Sequence, residues 1–185
     1  MKTILLFGAG KSATCLIDYL GKFCDENEWQ FLVCDSDHSL SQSKTKNFSS
    51  AKAISFDINN QGKRQEFISK ADLVISMLPP SLHYLVALDC LLFSKDLLTA
   101  SYIDEKLKSL KNEIEAKGIL FLGEMGLDPG IDHMSAMKMI DQIENSGGKI
   151  SSFKSHCGGL VSPESDDNPW HYKINCNPAN VLLAG

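Results

Sequence analysis

The sequence predicts an α/β protein with a doubly wound parallel sheet, followed by the beginning of a second, α+β domain. Three observations predict it. Thr3-Ile4-Leu5-Leu6-Phe7 is a continuous apolar run of strand length, as expected of a central parallel strand buried on both faces. Gly8-x-Gly10-x-x-Ala13 follows it directly and opens a segment in which Leu16, Ile17, Leu20 and Phe23 recur at helical spacing. Apolar runs of strand length then alternate with helical segments as far as residue 122.

The elements are expected in this order. Residues 31–34 form the second strand, which ends on Asp35. Residues 53–56 form a third, and residues 61–69 a helix. Residues 72–78 are a strand stopped by Pro79-Pro80, after which Ser81 caps a helix reaching Phe93. Residues 97–100 are the fifth strand, a charged helix spans 105–116, Gly118 ends it, and residues 119–122 are the sixth strand. This alternation is that of one Rossmann domain, expected over residues 1–124. The turn-rich stretch from Gly126 to Gly130 reads as a hinge. Ile131, Met134, Met137, Ile140 and Ile143 then share one helix face, Gly147-Gly148 breaks it, and residues 150–154 are expected to begin a strand. Residues 125–185 are accordingly assigned to the hinge and the start of the second domain.

Composition limits the functions available. A net charge of -5 over 185 residues argues against nucleic acid or an anionic membrane as the main partner. The apolar runs are too short to span a bilayer, and Met1-Lys2 leads straight into a strand without signal-peptide architecture, so a cytoplasmic location is expected. The six cysteines form no C-x-x-C pair, and the first four read as reduced, buried small hydrophobes. The spacing of His156, Cys157, His171 and Cys176 matches no zinc module, and no metal is expected.

The glycine-rich turn is the strongest chemical signal. Gly8 permits a tight turn, Gly10 lets the backbone approach a pyrophosphate, and Ala13 keeps helix and strand close. With Lys11 and Ser12 they place unpaired N–H groups and a helix N-terminus against the phosphates. Asp35 ends the second strand 22 residues past Ala13, where a carboxylate accepts from the ribose hydroxyls of NAD and repels a 2′-phosphate. NAD is therefore expected, with NADP second. Asp37 competes for that role; Asp57 follows the third strand and could approach the adenine, but reads rather as a helix cap. Met77, Leu78 and Pro79 lie at the carboxyl end of the fourth strand and would wall the crevice near the nicotinamide ribose; a plain proline stop is the alternative. Tyr102, Asp128, His133, His156, Cys157 and His171 are the acid–base candidates of the second half.

The stretch from Gly123 to His133, GEMGLDPGIDH, resembles a signature of glutamate-forming saccharopine dehydrogenase, also called saccharopine reductase. So do Ala100-Ser101-Tyr102, Cys157-Gly158-Gly159-Leu160, and the run PESDDNP from Pro163 to Pro169. The resemblance runs over essentially all of the chain. It implies a Rossmann domain joined to a substrate domain, and a hydride exchanged between a nicotinamide and an imine carbon in lysine metabolism. It places Tyr102, Asp128 and Cys157 in the substrate site near the nicotinamide, and Ser101, Tyr102 and Asp128 against the substrate, an amino acid. It implies neither a single acid or base nor an oligomeric state, and a homodimer stays open. Related reductases of polyamine imines, or a module that binds NAD without catalysis, are the alternatives. Two departures stand out. Family members are usually at least twice as long, and they carry Arg where Ala179 stands and Trp where Cys176 stands. With one wall of the crevice curtailed and no Arg after Asp132, the chain alone is expected to turn saccharopine over slowly or not at all.

Overall fold

The computed structural model describes residues 1–156 and 161–173. Six parallel strands form one sheet: β1 (Thr3–Phe7), β2 (Gln30–Asp35), β3 (Ala51–Ser55), β4 (Leu73–Ser76), β5 (Asp96–Thr99) and β6 (Phe121–Leu122). Their spatial order is β3-β2-β1-β4-β5-β6, and every adjacent pair is parallel. The chain winds outward from β1 in one direction, then returns to β4 and winds in the other. This is the doubly wound Rossmann arrangement.

The order of the strands explains their composition. β1 is central and its five residues are all buried. Leu5 and Phe7 enter one core with Val74, Val86, Cys90 and Leu97. Ile4 and Leu6 enter a second core on the opposite face, with Ile17, Phe31, Val33 and Ile75. Period-two alternation thus feeds two apolar layers, which is why β1 reads as an unbroken apolar run.

The helices are α1 (Thr14–Asn27), α2 (His38–Thr45), α3 (Gln61–Lys70), α4 (Pro80–Phe93), α5 (Glu105–Ser109), α6 (Lys111–Lys117) and α7 (Ile131–Asn145). A 3-10 turn over Lys11–Ala13 leads into α1. Arg64 of α3 and Asp89 of α4 form a buried ion pair that ties two helices on one face together. Asp89 also accepts from Gln65 Nε2 at 2.8 Å, and Arg64 Nη1 donates to the Ile58 carbonyl at 2.6 Å. The described residues contain no helix long and apolar enough to cross a membrane.

Several expectations need correction. α2 has no apolar stripe to announce it: Ser41 and Thr45 are its buried residues. Their hydroxyls donate back to the carbonyls of Asp37, His38 and Ser41, so burial leaves no polar group unpaired. The N-cap of α4 is Pro79 rather than Ser81, because Pro80 already occupies the first helical position. The helix expected over 105–116 divides at Leu110, which is 5% exposed and turned into the core. β4 is shorter than expected, ending at Ser76. Residues 119–120 are bonded irregularly, through Leu120 N–H to Asp96 Oδ1 and Leu97 N–H to the Leu120 carbonyl, so β6 keeps only two residues. The strand expected over 150–154 does not form. Cys24, Cys34 and Cys90 are buried thiols as expected, but Cys15 is exposed.

The chain divides into two compact units, Met1–Met137 and Lys138–Gly185. In the second unit, the described part beyond α7 carries a 3-10 turn at Pro163–Ser165 and a pairing of His171 Nδ1 with Asp166 at 2.6 Å. In the first unit, an apolar groove of about 360 Å³ runs beside β6, lined by residues such as Ile103, Leu107, Ile114 and Phe121.

Candidate dinucleotide and substrate site

The strand order reverses between β1 and β4, and a ligand crevice is expected there, outside the carboxyl ends of the strands. A cavity of about 390 Å³ opens at that point. Gly8, Gly10, Asp35, Met77, Leu78 and Pro79 line it, together with Cys34, Asp57 and Asn59. Six of the residues singled out for the cofactor are thus brought together by the fold.

The two glycines meet different needs. Gly8 has φ +96°, and a Cβ there would lie 2.8 Å from the Met77 carbonyl oxygen. The turn passes so close to the end of β4 that only glycine fits. Gly10 has φ -61° and ψ -179°, which any residue adopts, and an added Cβ would meet nothing within 4 Å. The folded chain itself does not require glycine at position 10. An open space in front of an exposed turn fits a bound group that comes up against the backbone. Ala13 is fully buried, in keeping with the close packing of helix and strand.

The turn is held from behind. Lys44 of α2 donates from Nζ to the Ala9 carbonyl at 2.7 Å, the Gly10 carbonyl at 2.7 Å and Thr14 Oγ1 at 2.8 Å. In a trans peptide the N–H points opposite to its carbonyl. Holding these two carbonyls therefore turns the N–H groups of Gly10 and Lys11 the other way. Among the described residues the N–H groups of Gly10, Lys11 and Ser12 have no hydrogen-bond partner. They and the start of α1 form a nest for an anion, and a pyrophosphate fits it. Lys44 was not singled out in the sequence because it lies on the helix that its pattern hides.

Asp35 lies in the crevice, but its oxygens are already engaged. Oδ2 accepts from Ala9 N–H at 2.7 Å and Oδ1 from Asp37 N–H at 3.0 Å. The carboxylate lines the crevice and also braces the turn, so its charge is partly satisfied by the backbone. Asp37 caps α2, accepting from Leu40 N–H, and is occupied there. Asp57 is not the cap of α3. That position belongs to Asn60, and Asp57 Oδ1 accepts instead from the backbone and side chain of Asn59. Burial pushes the Cys34 thiol at the back of the crevice up to about 12, so it stays protonated.

A second group lies beyond the end of β5. Glu124 N–H donates to the Ser101 carbonyl at 3.0 Å and Met125 N–H to the Thr99 carbonyl at 3.0 Å, which fastens the 124–130 turn to this strand end. A Cβ on Gly126 would lie 2.9 Å from the Ala100 carbonyl oxygen, so the approach requires glycine. The turn delivers Asp128 to Tyr102, whose hydroxyl donates to Oδ1 at 3.3 Å. Desolvation, with the nearby charges of Asp128, Asp132 and Glu124, pushes the Tyr102 phenol up and keeps it a donor. Ser101 Oγ lies 2.9 Å from Nε2 of the buried His83. Cys157, Cys176 and Ala179 lie outside the described residues. His133 pairs with Asp132 at the exposed start of α7, and His156 is exposed.

The fold and the glycine-rich turn at the switch point define a Rossmann protein of the dinucleotide-binding class. Residues 4–122 match the family described as saccharopine dehydrogenase NADP binding domain, and residues 126–185 match the saccharopine dehydrogenase C-terminal domain. The chain belongs to the saccharopine dehydrogenase family. It is 39% identical to saccharopine dehydrogenase [NADP(+), L-glutamate-forming] of Saccharomyces cerevisiae, over 99% of this chain and 40% of that protein. It is 36% identical to alpha-aminoadipic semialdehyde synthase of Arabidopsis thaliana, over 98% of this chain and 19% of that protein. The solved apo saccharopine dehydrogenase (L-Glu forming) of S. cerevisiae superposes with a TM-score of 0.84 at 38% identity, covering all of this chain and 40% of that one. A myo-inositol dehydrogenase of Corynebacterium glutamicum, at 18% identity and a TM-score of 0.54, shares the fold. The chain thus spans from about a fifth to two fifths of the length of these curated relatives. The family description and the yeast relative's name favour NADP over the NAD expected from Asp35.

Proposed function

We propose that this chain is the cofactor-binding portion of an oxidoreductase acting on the C–N bond of saccharopine in lysine metabolism, with NADP as the first choice of nicotinamide dinucleotide. The observation that carries the reading is the Gly10–Ser12 nest at the switch point, in a chain of the saccharopine dehydrogenase family. The names of the relatives support the substrate. The family description and the yeast relative's name support NADP, while the Asp35 carboxylate in the crevice would meet a 2′-phosphate with like charge.

The dinucleotide, when bound, takes up or supplies the hydride. The chain's own residues bind and orient. Gly10, Lys11 and Ser12 hold the pyrophosphate by their N–H groups, with Lys44 fixing the turn. Met77, Leu78 and Pro79 wall the crevice toward the nicotinamide side. Tyr102 offers a phenol proton beside the reacting C–N group, oriented by Asp128, and Ser101 contacts the substrate. Oxidation of saccharopine gives up a hydride from the C–H and releases the amine proton to solvent, leaving an imine, which water hydrolyses to glutamate and 2-aminoadipate 6-semialdehyde.

The test has two parts. Calorimetric titration of the chain with NADPH and with NADH is expected to show binding of both, NADPH the tighter; no binding by natively folded chain overturns the cofactor reading. Saccharopine-dependent reduction of the oxidised cofactor, assayed on the protein as its gene encodes it, is expected, and its absence overturns the substrate reading.

A further inference from the structure

Ser76, His83 and Ser101 form a relay that runs from the buried end of β4 to the residue pair just beyond the carboxyl end of β5. Ser76 is fully buried, and its Oγ lies 2.8 Å from His83 Nδ1. His83, 1% exposed, stands on the first turn of α4, and its Nε2 lies 2.9 Å from Ser101 Oγ. Ser101 is half-buried and precedes Tyr102. None of the functions described above uses His83.

A neutral imidazole has one proton, so the relay has two arrangements. In the first, Ser76 donates to Nδ1, Nε2–H donates to Ser101 Oγ, and the Ser101 proton is free. In the second, Ser101 donates to Nε2 and Nδ1–H donates to Ser76, whose own proton is then left over. Among the described residues the Ser76 hydroxyl has no partner other than His83. The second arrangement strands a donor at a position closed to water, which is the costlier defect, whereas a spare lone pair costs little. The first arrangement is therefore favoured. Desolvation holds the imidazole below its ordinary range, with Asp104 the opposing charge, which keeps it neutral.

We propose that Ser76 and His83 are positioning residues that fix Ser101, half-buried at the carboxyl edge of the sheet, as a hydrogen-bond donor set to receive a substrate carboxylate. Ser101 accepts from His83, which polarises its own O–H for an anionic partner. A free hydroxyl donor of this kind matches an acceptor such as a carboxylate oxygen. The identity of the carboxylate rests on the saccharopine reading above; the direction of the relay does not.

Long-range proton–nitrogen correlation spectra of the isotope-labelled 185-residue chain read the tautomer of His83 directly. We expect protonated Nε2 and bare Nδ1, and a protonated Nδ1 overturns the proposal whatever the substrate is. Calorimetry of saccharopine into the NADPH-saturated protein, as its gene encodes it, reads the consequence. Ser76→Ala and Ser101→Ala are each expected to weaken saccharopine by about tenfold, with NADPH affinity unchanged within about twofold. The double variant should be no weaker than Ser101→Ala. Additive losses, or an unchanged saccharopine affinity in Ser76→Ala, overturn it. Ser76→Cys, which keeps the shape and donates poorly, repeats the test if Ser76→Ala fails to fold. Saccharopine that binds to no form of the protein as its gene encodes it refutes the substrate reading, and the tautomer still decides the relay.

Discussion

Replacing Gly10 with valine should separate binding from folding, and replacing Gly8 with alanine should do the reverse. At Gly10 the backbone angles suit any residue, and a Cβ meets no atom of the protein within 4 Å. The thermal midpoint of Gly10→Val should therefore match the parent or exceed it slightly, since a glycine removed at a compatible position stabilises by about 0.4–1 kcal/mol. Binding is another matter. The valine side chain fills the space in front of the Gly10 and Lys11 N–H groups. Losing two hydrogen bonds to a charged pyrophosphate, at about 1.5–3 kcal/mol each, removes about 3–6 kcal/mol. That corresponds to an affinity for NADPH lower by roughly 10²- to 10⁴-fold. Gly8→Ala places a side chain at φ +96° and 2.8 Å from the Met77 carbonyl oxygen. The backbone conformation alone costs about 1–3 kcal/mol, and the contact adds to it. Circular dichroism melts paired with calorimetric titrations measure both. A Gly10→Val chain that melts normally and binds NADPH with undiminished affinity would refute the reasoning.

Three further outcomes follow from the same geometry. Lys44→Met removes the clamp on the Ala9 and Gly10 carbonyls and should weaken NADPH and NADH alike by about tenfold, measured by calorimetry; a loss confined to one dinucleotide would mean that Lys44 acts on the 2′ position instead. Asp35→Asn keeps an acceptor for Ala9 N–H but removes the charge, and should improve NADPH relative to NADH by about five- to tenfold, one charge pair in a solvated crevice being worth about 1 kcal/mol. His83 is held below its unfolded value near 6.5, so the unfolded chain takes up the proton first. Its contribution to stability is complete above that value and is lost as pH falls below it, so the urea midpoint should drop between about pH 7 and about pH 5, and His83→Gln should flatten the slope. An unchanged slope in the variant would show that other groups cause it.

The sequence carried the sheet because burial on both faces leaves a direct trace: β1, β2, β4 and β5 are apolar runs between turn signals. The glycine-rich turn was readable for the same reason, since close backbone approach demands particular residues. What was hidden has a common cause. α2 buries Ser41 and Thr45, whose hydroxyls satisfy themselves on the preceding turn, so no periodic apolar signal exists, and Lys44 on that helix was hidden with it. Asp35 was correctly placed in the crevice, but sequence spacing cannot show that its oxygens are already bonded to Ala9 and Asp37. His83 sits within the apolar run of α4 and carried one available signal: a histidine buried there must find partners for two nitrogens. The family resemblance implied that Tyr102 and Asp128 share one site but not that they pair; the fold brings them together through a turn fastened to the end of β5.

The most direct measurement is a proton–nitrogen correlation spectrum of the labelled chain during titration with NADPH. We expect the amides of Gly8, Gly10, Lys11, Ser12, Asp35 and Leu78 to move in saturable fashion, while those around the apolar groove beside β6, such as Leu107 and Ile114, stay in place. A spectrum that does not respond, or one whose shifts centre on that groove, would contradict a dinucleotide site at the switch point of the sheet.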